Sequence, residues 1–260
     1  MCRWLAYKGK SIYLNELIFE PKYSLIEQSM SARKSITTIN ADGFGLGWYG
    51  SEREPGLYRE VLPAWSDCNL KSLSQHIQSP LFFAHVRAST GTSTSRTNCH
   101  PFRYNNWLFM HNGQIGAYDE IKWELERLIP KAFYAARNGQ TDSELLFLLL
   151  LSNGLAEYCV ESAVKTTIQQ IEHIAHHNTV SEPLRISACW SDGDKVWALR
   201  YASDQHAPTL FYKTTNNRLI IASEPLDSEK EFWTSVPQSH LLCVSGDDIT
   251  IHPLRFFYAL

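Results

Sequence analysis

Apolar positions change their rhythm twice along this chain. The first 65 residues carry no sustained period and read as loop-rich with short extended pieces. Within them, the run 42–48 (DGFGLGW) combines a glycine-containing segment, fit for a close backbone approach, with an aromatic strand. Leu70, Leu73 and Ile77 recur at helical spacing after Ser66 and Asp67, both good N-cap residues, so a short helix is predicted there. LFFAHVR (81–87) and WLFMH (107–111) read as buried strands, bounded by Pro80 and by Asn112-Gly113.

The middle of the chain shifts to helical periods. Ile121, Leu125 and Leu128 mark an amphipathic helix that Pro130 ends. Thr141-Asp142-Ser143-Glu144 has the form of a capping box and opens a leucine-rich helix to Ser152. A third helix is predicted over roughly 157–177. From Leu184 onward the pattern is one of short strands: LRISACW, KVWALRY, TLFYK, LIIAS, LLCVS and DITIH. Strands, then helices, then strands predict an α+β fold of two packed sheets with helices. No linker divides the chain, so residues 1–260 are expected to form a single domain.

Composition narrows the function. Lys and Arg number 24 against 27 Asp and Glu, a formal charge of −3, which argues against a nucleic-acid or anionic-membrane partner reached by bulk charge. Trp4, Trp48, Trp65 and Trp107 lack an accompanying basic stripe and are read as core residues rather than a base-stacking platform. The longest apolar run, Leu145 to Leu151, falls short of the ~18 residues of a membrane span. Lys8 and Lys10 interrupt the start before a signal peptide can build up, and a cytoplasmic location is expected. Of six cysteines, none forms a C-x-x-C pair; Cys68, Cys159, Cys189 and Cys243 are read as small buried hydrophobes. Cys99, in a polar loop, stays undecided.

Four features carry chemistry. Cys2 follows Met1 and, once methionine aminopeptidase has acted, would hold a nucleophile and a base in one residue. A free thiol titrates at about 8.5 and an α-amine at about 7.7–8.0, so the amine can take the thiol proton near neutrality. Asn112-Gly113 reads by itself as a hairpin turn, although an Asn amide and a Gly N–H aimed at one point would serve an oxyanion. Arg87, ending a buried strand, is shaped either for an ion pair or for a ligand carboxylate. Asp142 sits in a first helical turn, where it stabilises the N-terminus or meets an ammonium.

Their order is more telling than any one of them. Met-Cys at the start, Ala-His-Val-Arg-Ala-Ser-Thr (84–90), His-Asn-Gly (111–113) and Thr-Asp-Ser-Glu (141–144) together resemble the class II glutamine amidotransferase domain of the N-terminal nucleophile hydrolases. Asp42-Gly43-Phe44-Gly45 is similar to that family's early glycine segment, and Asn98-Cys99-His100-Pro101-Phe102 to its Asn-x-His-Pro stretch. The resemblance runs motif by motif over residues 2 to 150 and beyond that only by strand pattern. It implies a four-layer α-β-β-α sandwich of two antiparallel sheets. It also implies that Cys2 is the nucleophile and Asn112 and Gly113 the oxyanion hole, with Arg87 on the substrate α-carboxylate and Asp142 on its α-amino group. Thr90 and, more weakly, His100 would line the pocket. The implied ligand is L-glutamine or a γ-glutamyl small molecule, with no cofactor and no metal. Since the glutaminase pattern nearly fills the chain, the expectation is either that an ammonia-accepting synthetase is a separate subunit or that ammonia is not the useful product.

Rival readings are weaker. A papain-like site would use Cys99 or Cys2 with His85 or His111, but no papain-type sequence surrounds Cys99. His173, His176 and His177 share a helix face, yet no H-E-x-x-H pattern accompanies them, and a solvated helix end explains them better. A non-catalytic glutamine-binding protein, or a glutaminase subunit active only with a synthetase, is the alternative. Binding alone needs no thiol.

Overall fold

The structure is a computed structural model and describes residues 2–31, 39–89, 93–157 and 159–256. In chain order its strands are β1 (Arg3–Tyr13), β2 (Phe44–Tyr49), β3 (Gly56–Glu60), β4 (Gln78–Val86), β5 (Phe102–Tyr104) and β6 (Trp107–Gln114). They continue with β7 (Arg185–Ser191), β8 (Val196–Ala202), β9 (Phe211–Thr215), β10 (Arg218–Ala222), β11 (Thr234–Ser235), β12 (His240–Ser245) and β13 (Asp248–Pro253). Two antiparallel sheets result, in the orders β11-β9-β10-β1-β4-β2-β3 and β13-β12-β8-β7-β6-β5. The helices are α1 (Asn15–Ile18), α2 (Leu25–Met30), α3 (Cys68–His76), α4 (Tyr118–Glu126), α5 (Lys131–Tyr134), α6 (Asp142–Ser152) and α7 (Val160–His177).

Strand alternation sorts the side chains into layers. On β1, Trp4 and Ala6 join Leu81 and Phe83 of β4 and Leu108 and Met110 of β6 in a core between the two sheets. The intervening residues Leu5, Tyr7, Phe82 and Ala84 pack outward with Ile18 and Leu25 of α1 and α2. On the other sheet, Phe109, Ala188 and Trp190 face Leu145, Leu149 and Ile168 of α6 and α7. Three apolar layers between four structural ones make the α-β-β-α sandwich that the sequence implied.

Two N-cap signals held. Asp67, rather than Ser66, caps α3 by accepting from Leu70 N–H at 2.7 Å. Thr141 caps α6 by accepting from Glu144 N–H at 3.1 Å. The reciprocal half of the expected capping box is absent, because the Glu144 carboxylate instead accepts from the backbone of Asn138 (3.0 Å) and Gly139 (2.6 Å).

Four expectations are corrected. The opening segment is not loop-rich: β1 is an 11-residue strand at the centre of its sheet, its alternation masked in sequence by Lys8-Gly9-Lys10. Pro80 does not bound β4, which begins at Gln78. Cys68 and Cys159 are exposed rather than buried, since they stand at helix starts, whereas Cys189 is fully buried. Trp65 is exposed, while Trp4 and Trp107 are core.

Candidate active site

The same alternation that builds the inter-sheet core positions the polar residues beyond it. Cys2 precedes Trp4 by two residues, Arg87 follows Phe83 by four, and Asn112 follows Met110 by two, so all three belong to the inter-sheet face. The β1–β4 ladder ends at Arg3 opposite Val86, and one more step brings Cys2 beside Arg87. The two sheets are tied here by the ring of His85, 3.3 Å through Nε2 from the carbonyl oxygen of His111. Cys2, Arg87, His100, Asn112, Gly113 and Asp142 all line one cavity of about 80 Å³. Thr90 lies outside the described residues.

Cys2 is half-buried. Its sulfur accepts from Ala88 N–H at 3.4 Å and donates to Ala88 O at 3.6 Å. Burial pushes the thiol pKa up, while the Ala88 N–H and the nearby positive charges of the N-terminus, Arg87 and Arg3 act in the opposite direction.

Asn112 and Gly113 do not form the turn that Asn-Gly suggests. They continue β6, opposite Ser187 and Ile186 of β7. A complete run of ladder partners from Leu108 to Gln114 outweighs the local turn preference. The Asn112 side chain is buried, yet makes no hydrogen bond among the described residues. A Cβ at Gly113 would lie 1.9 Å from Arg185 O and 2.6 Å from His111 Nε2, so only glycine fits.

Arg87 is 3% exposed and held from several sides. Nη1 donates to Asp42 O at 3.2 Å, and Nη2 to Ser89 Oγ at 3.1 Å and Ser93 O at 3.5 Å. The Asp42 carboxylate in turn accepts from Ser89 N–H at 2.7 Å. The glycine segment does make a close approach. A Cβ on Gly45 would meet His100 O at 2.1 Å, and one on Gly43 would meet Cys99 Sγ at 2.6 Å. Cys99 is thereby a buried packing residue, its thiol pushed up to about 11 by desolvation.

Across the cavity, Asp142 accepts from Ile115 N–H at 2.9 Å through Oδ2. His111, whose parity on β6 is opposite to that of Asn112, turns to α6. Its Nε2 lies 3.2 Å from Arg185 O, which can only accept, so Nε2 carries the proton; Nδ1 lies 2.9 Å from Ser143 Oγ, which is also 3.2 Å from Asp142 Oδ1. His100 stacks on His85 with ring centroids 4.1 Å apart, and both of its buried ring nitrogens lack a partner among the described residues. Burial depresses the pKa of all three histidines, that of His85 to about 3, so they are neutral at pH 7.

Sequence reasoning missed Ser143 as the partner of His111, and Arg185, which lines the cavity and pairs with Asp204 at 2.6 Å. Arg185 reads in sequence as no more than the start of a strand; only its register against Gln114 brings it to the site. His173, His176 and His177 end α7 on exposed positions. No group of three or more His, Cys, Asp or Glu residues among those described is arranged to hold a metal ion. Nor is any described helix long and apolar enough to cross a membrane.

Comparison with known proteins agrees with this geometry. The family model for class-II glutamine amidotransferases matches residues 17–212. The chain is 32% identical to a probable glutamine amidotransferase of Saccharomyces cerevisiae, over 98% of this chain and 84% of that protein. It is 25% identical to the gamma-glutamyl-hercynylcysteine sulfoxide hydrolase of Mycolicibacterium smegmatis, over 98% of this chain and all of that protein. Among solved structures, a glutamine aminotransferase class-II domain protein of Silicibacter pomeroyi superposes with a TM-score of 0.77 at 33% identity, covering 97% of this chain and 99% of that one. The glutamine phosphoribosylpyrophosphate amidotransferase of B. subtilis shares the fold at 13% identity, with a TM-score of 0.65 over half of its own length. The chain belongs to the class-II glutamine amidotransferases and is an enzyme of the amidotransferase and amidohydrolase type.

Proposed function

We propose that this enzyme hydrolyses the side-chain amide of glutamine, or the matching amide of a γ-glutamyl compound, through a thioester on Cys2 after Met1 has been removed. The observation that carries this reading is the common cavity. It sets the Cys2 thiol with Asn112, Gly113, Arg87 and Asp142, drawn from both sheets and α6.

The freed α-amine takes the thiol proton, and the sulfur attacks the amide carbon. The oxyanion that forms is met by the Asn112 amide and the Gly113 N–H. As the C–N bond breaks, the α-ammonium returns the proton to the departing nitrogen, leaving the thioester. Water adds to the thioester with the amine again as base, and glutamate leaves with the thiol restored. Arg87 takes the substrate α-carboxylate and Asp142 its α-ammonium. The neutral His100 lines the same pocket, and Thr90 is assigned to substrate binding by the family motif alone. Asn112 lines the cavity with no side-chain hydrogen bond among the described residues, and a Cβ at Gly113 would collide with Arg185 O, both of which support the oxyanion role.

Glutamine and γ-glutamyl compounds share the end that this site grips, and the named relatives include both an amidotransferase and a γ-glutamyl hydrolase. The ammonia, if it is the useful product, is consumed by an ammonia-accepting synthetase. All six cysteines are free, which suits the reducing cytoplasm. The test is glutamate release from L-glutamine and from γ-glutamyl dipeptides, using untagged protein whose mass shows Met1 removed. Release should vanish in Cys2→Ala and in a protein with an uncleaved N-terminal tag. Full activity of either would overturn the nucleophile or the base.

A further inference from the structure

Arg3, next to Cys2, takes the opposite face of the sheet, the apolar layer of Leu5, Tyr7 and Val86. A guanidinium there is unexpected on burial grounds, and it is 1% exposed. Its Nε donates to Glu224 Oε2 at 2.9 Å, and Glu224 is itself 4% exposed. The register explains the meeting. Leu5 stands opposite Ala222 on β10, so two further steps set Arg3 opposite Glu224. Ser223 locks the junction, its N–H donating to Trp4 O and its hydroxyl accepting from Trp4 N–H, both at 3.0 Å.

Burying two charges carries a desolvation cost, and a pair of aliphatic side chains would fill the same layer without it. What aliphatic side chains cannot do is hold the nucleophile. Arg3 Nη1 donates to the carbonyl oxygen of Cys2 at 2.8 Å. Once Met1 is gone, no upstream chain restrains Cys2, and a terminal residue frays unless it is tied down. We infer that Arg3, clamped by Glu224, is a positioning residue for catalysis: its hydrogen bond to the Cys2 carbonyl fixes the terminal residue's orientation and keeps a cation close to the α-amine. The inference rests on the proposed role of Cys2. The cation also favours the free-base form of the amine.

Other charges around the cavity are Arg87 from β4, Asp142 from α6 and Arg185 from β7, with Asp42 bonded to Ser89 and with His85, His100 and His111 neutral. None of these changes in the variants below, so a shifted pH profile reports the loss of the Arg3–Glu224 pair, of which Arg3 is the member bonded to the Cys2 carbonyl. Arg3→Met alone would strand the Glu224 carboxylate and risk misfolding. The informative variant is therefore Arg3→Met with Glu224→Leu, which removes both charges. The expected result is a folded protein whose kcat for glutamate release falls about 10- to 100-fold with KM nearly unchanged, because a small misplacement of a reacting group costs that much. The acid limb of its pH profile should move to higher pH. Arg3→Lys, which keeps the charge but replaces the two nitrogens that meet Glu224 and Cys2 O by a single one, should lower kcat while leaving the acid limb in place; it decides the matter if the double variant does not fold.

A folded double variant with the parent's kcat and acid limb would overturn the inference. So would an Arg3→Lys protein with the parent's kcat. Cys2→Ala serves as the separate control: if it abolishes release while the Arg3 variants behave as the parent, only the positioning role fails. If Cys2→Ala stays active, both readings fall.

Discussion

The layer between the sheets has two ends made by the same strands. At one end Trp4, Phe83, Leu108 and Met110 interdigitate and exclude water. At the other, one or two pleats further along, the inward positions belong to Cys2, His85, Arg87 and Asn112. Backbone geometry is continuous across the boundary, and only the side chains change. The apolar end provides cohesion. The polar end is held in shape by it, with two imidazoles whose buried nitrogens lack a partner among the described residues, which a structure selected for stability alone would not keep.

If that division holds, substitutions at the two ends should separate stability from activity. Phe83→Ala, at the apolar end, should lower unfolding free energy by about 3–5 kcal/mol in a denaturant titration, with the folded fraction keeping its kcat. Asn112→Ala should do the reverse, reducing kcat by about 10²- to 10³-fold and leaving the denaturation midpoint close to that of the parent. A Phe83 variant that loses turnover while remaining folded, or an Asn112 variant that loses stability alone, would break the comparison.

The smallest effect concerns pH. His85 titrates at about 3 when folded and at about 6.5 when unfolded. As pH falls below about 6.5, the unfolded chain binds a proton that the folded chain refuses, so stability declines at up to about 1.4 kcal/mol per pH unit for each such histidine. His100 and His111 act in the same direction. The melting temperature should therefore drop between pH 7 and pH 5, and less steeply in His85→Gln. A flat profile over that window would show that the histidines are not held neutral.

Legibility in the sequence followed the distance between partners. The caps Asp67 and Thr141 act three residues away, and both were readable. The strands from Leu184 onward, alternating over short spans, were readable too. β1 was not, because its neighbours β4 and β10 lie far along the chain and Lys8-Gly9-Lys10 breaks its pattern. The Asn112-Gly113 turn was a sound local reading overruled by β7, some 75 residues away. Of the site, Cys2, Arg87, His100, Asn112, Gly113 and Asp142 could be chosen by their ordered motifs, and the fold gathers all six into one cavity. Arg3 and Glu224 could not, since 221 residues separate them and neither belongs to a motif.

The most direct test of the central claim is the intact mass of Met1-free protein quenched in acid during turnover of L-glutamine. The account predicts a species heavier by one γ-glutamyl group, mapped by peptide sequencing to Cys2 and absent from Cys2→Ala. An adduct on another residue, or undiminished turnover in the Cys2→Ala protein, would contradict it.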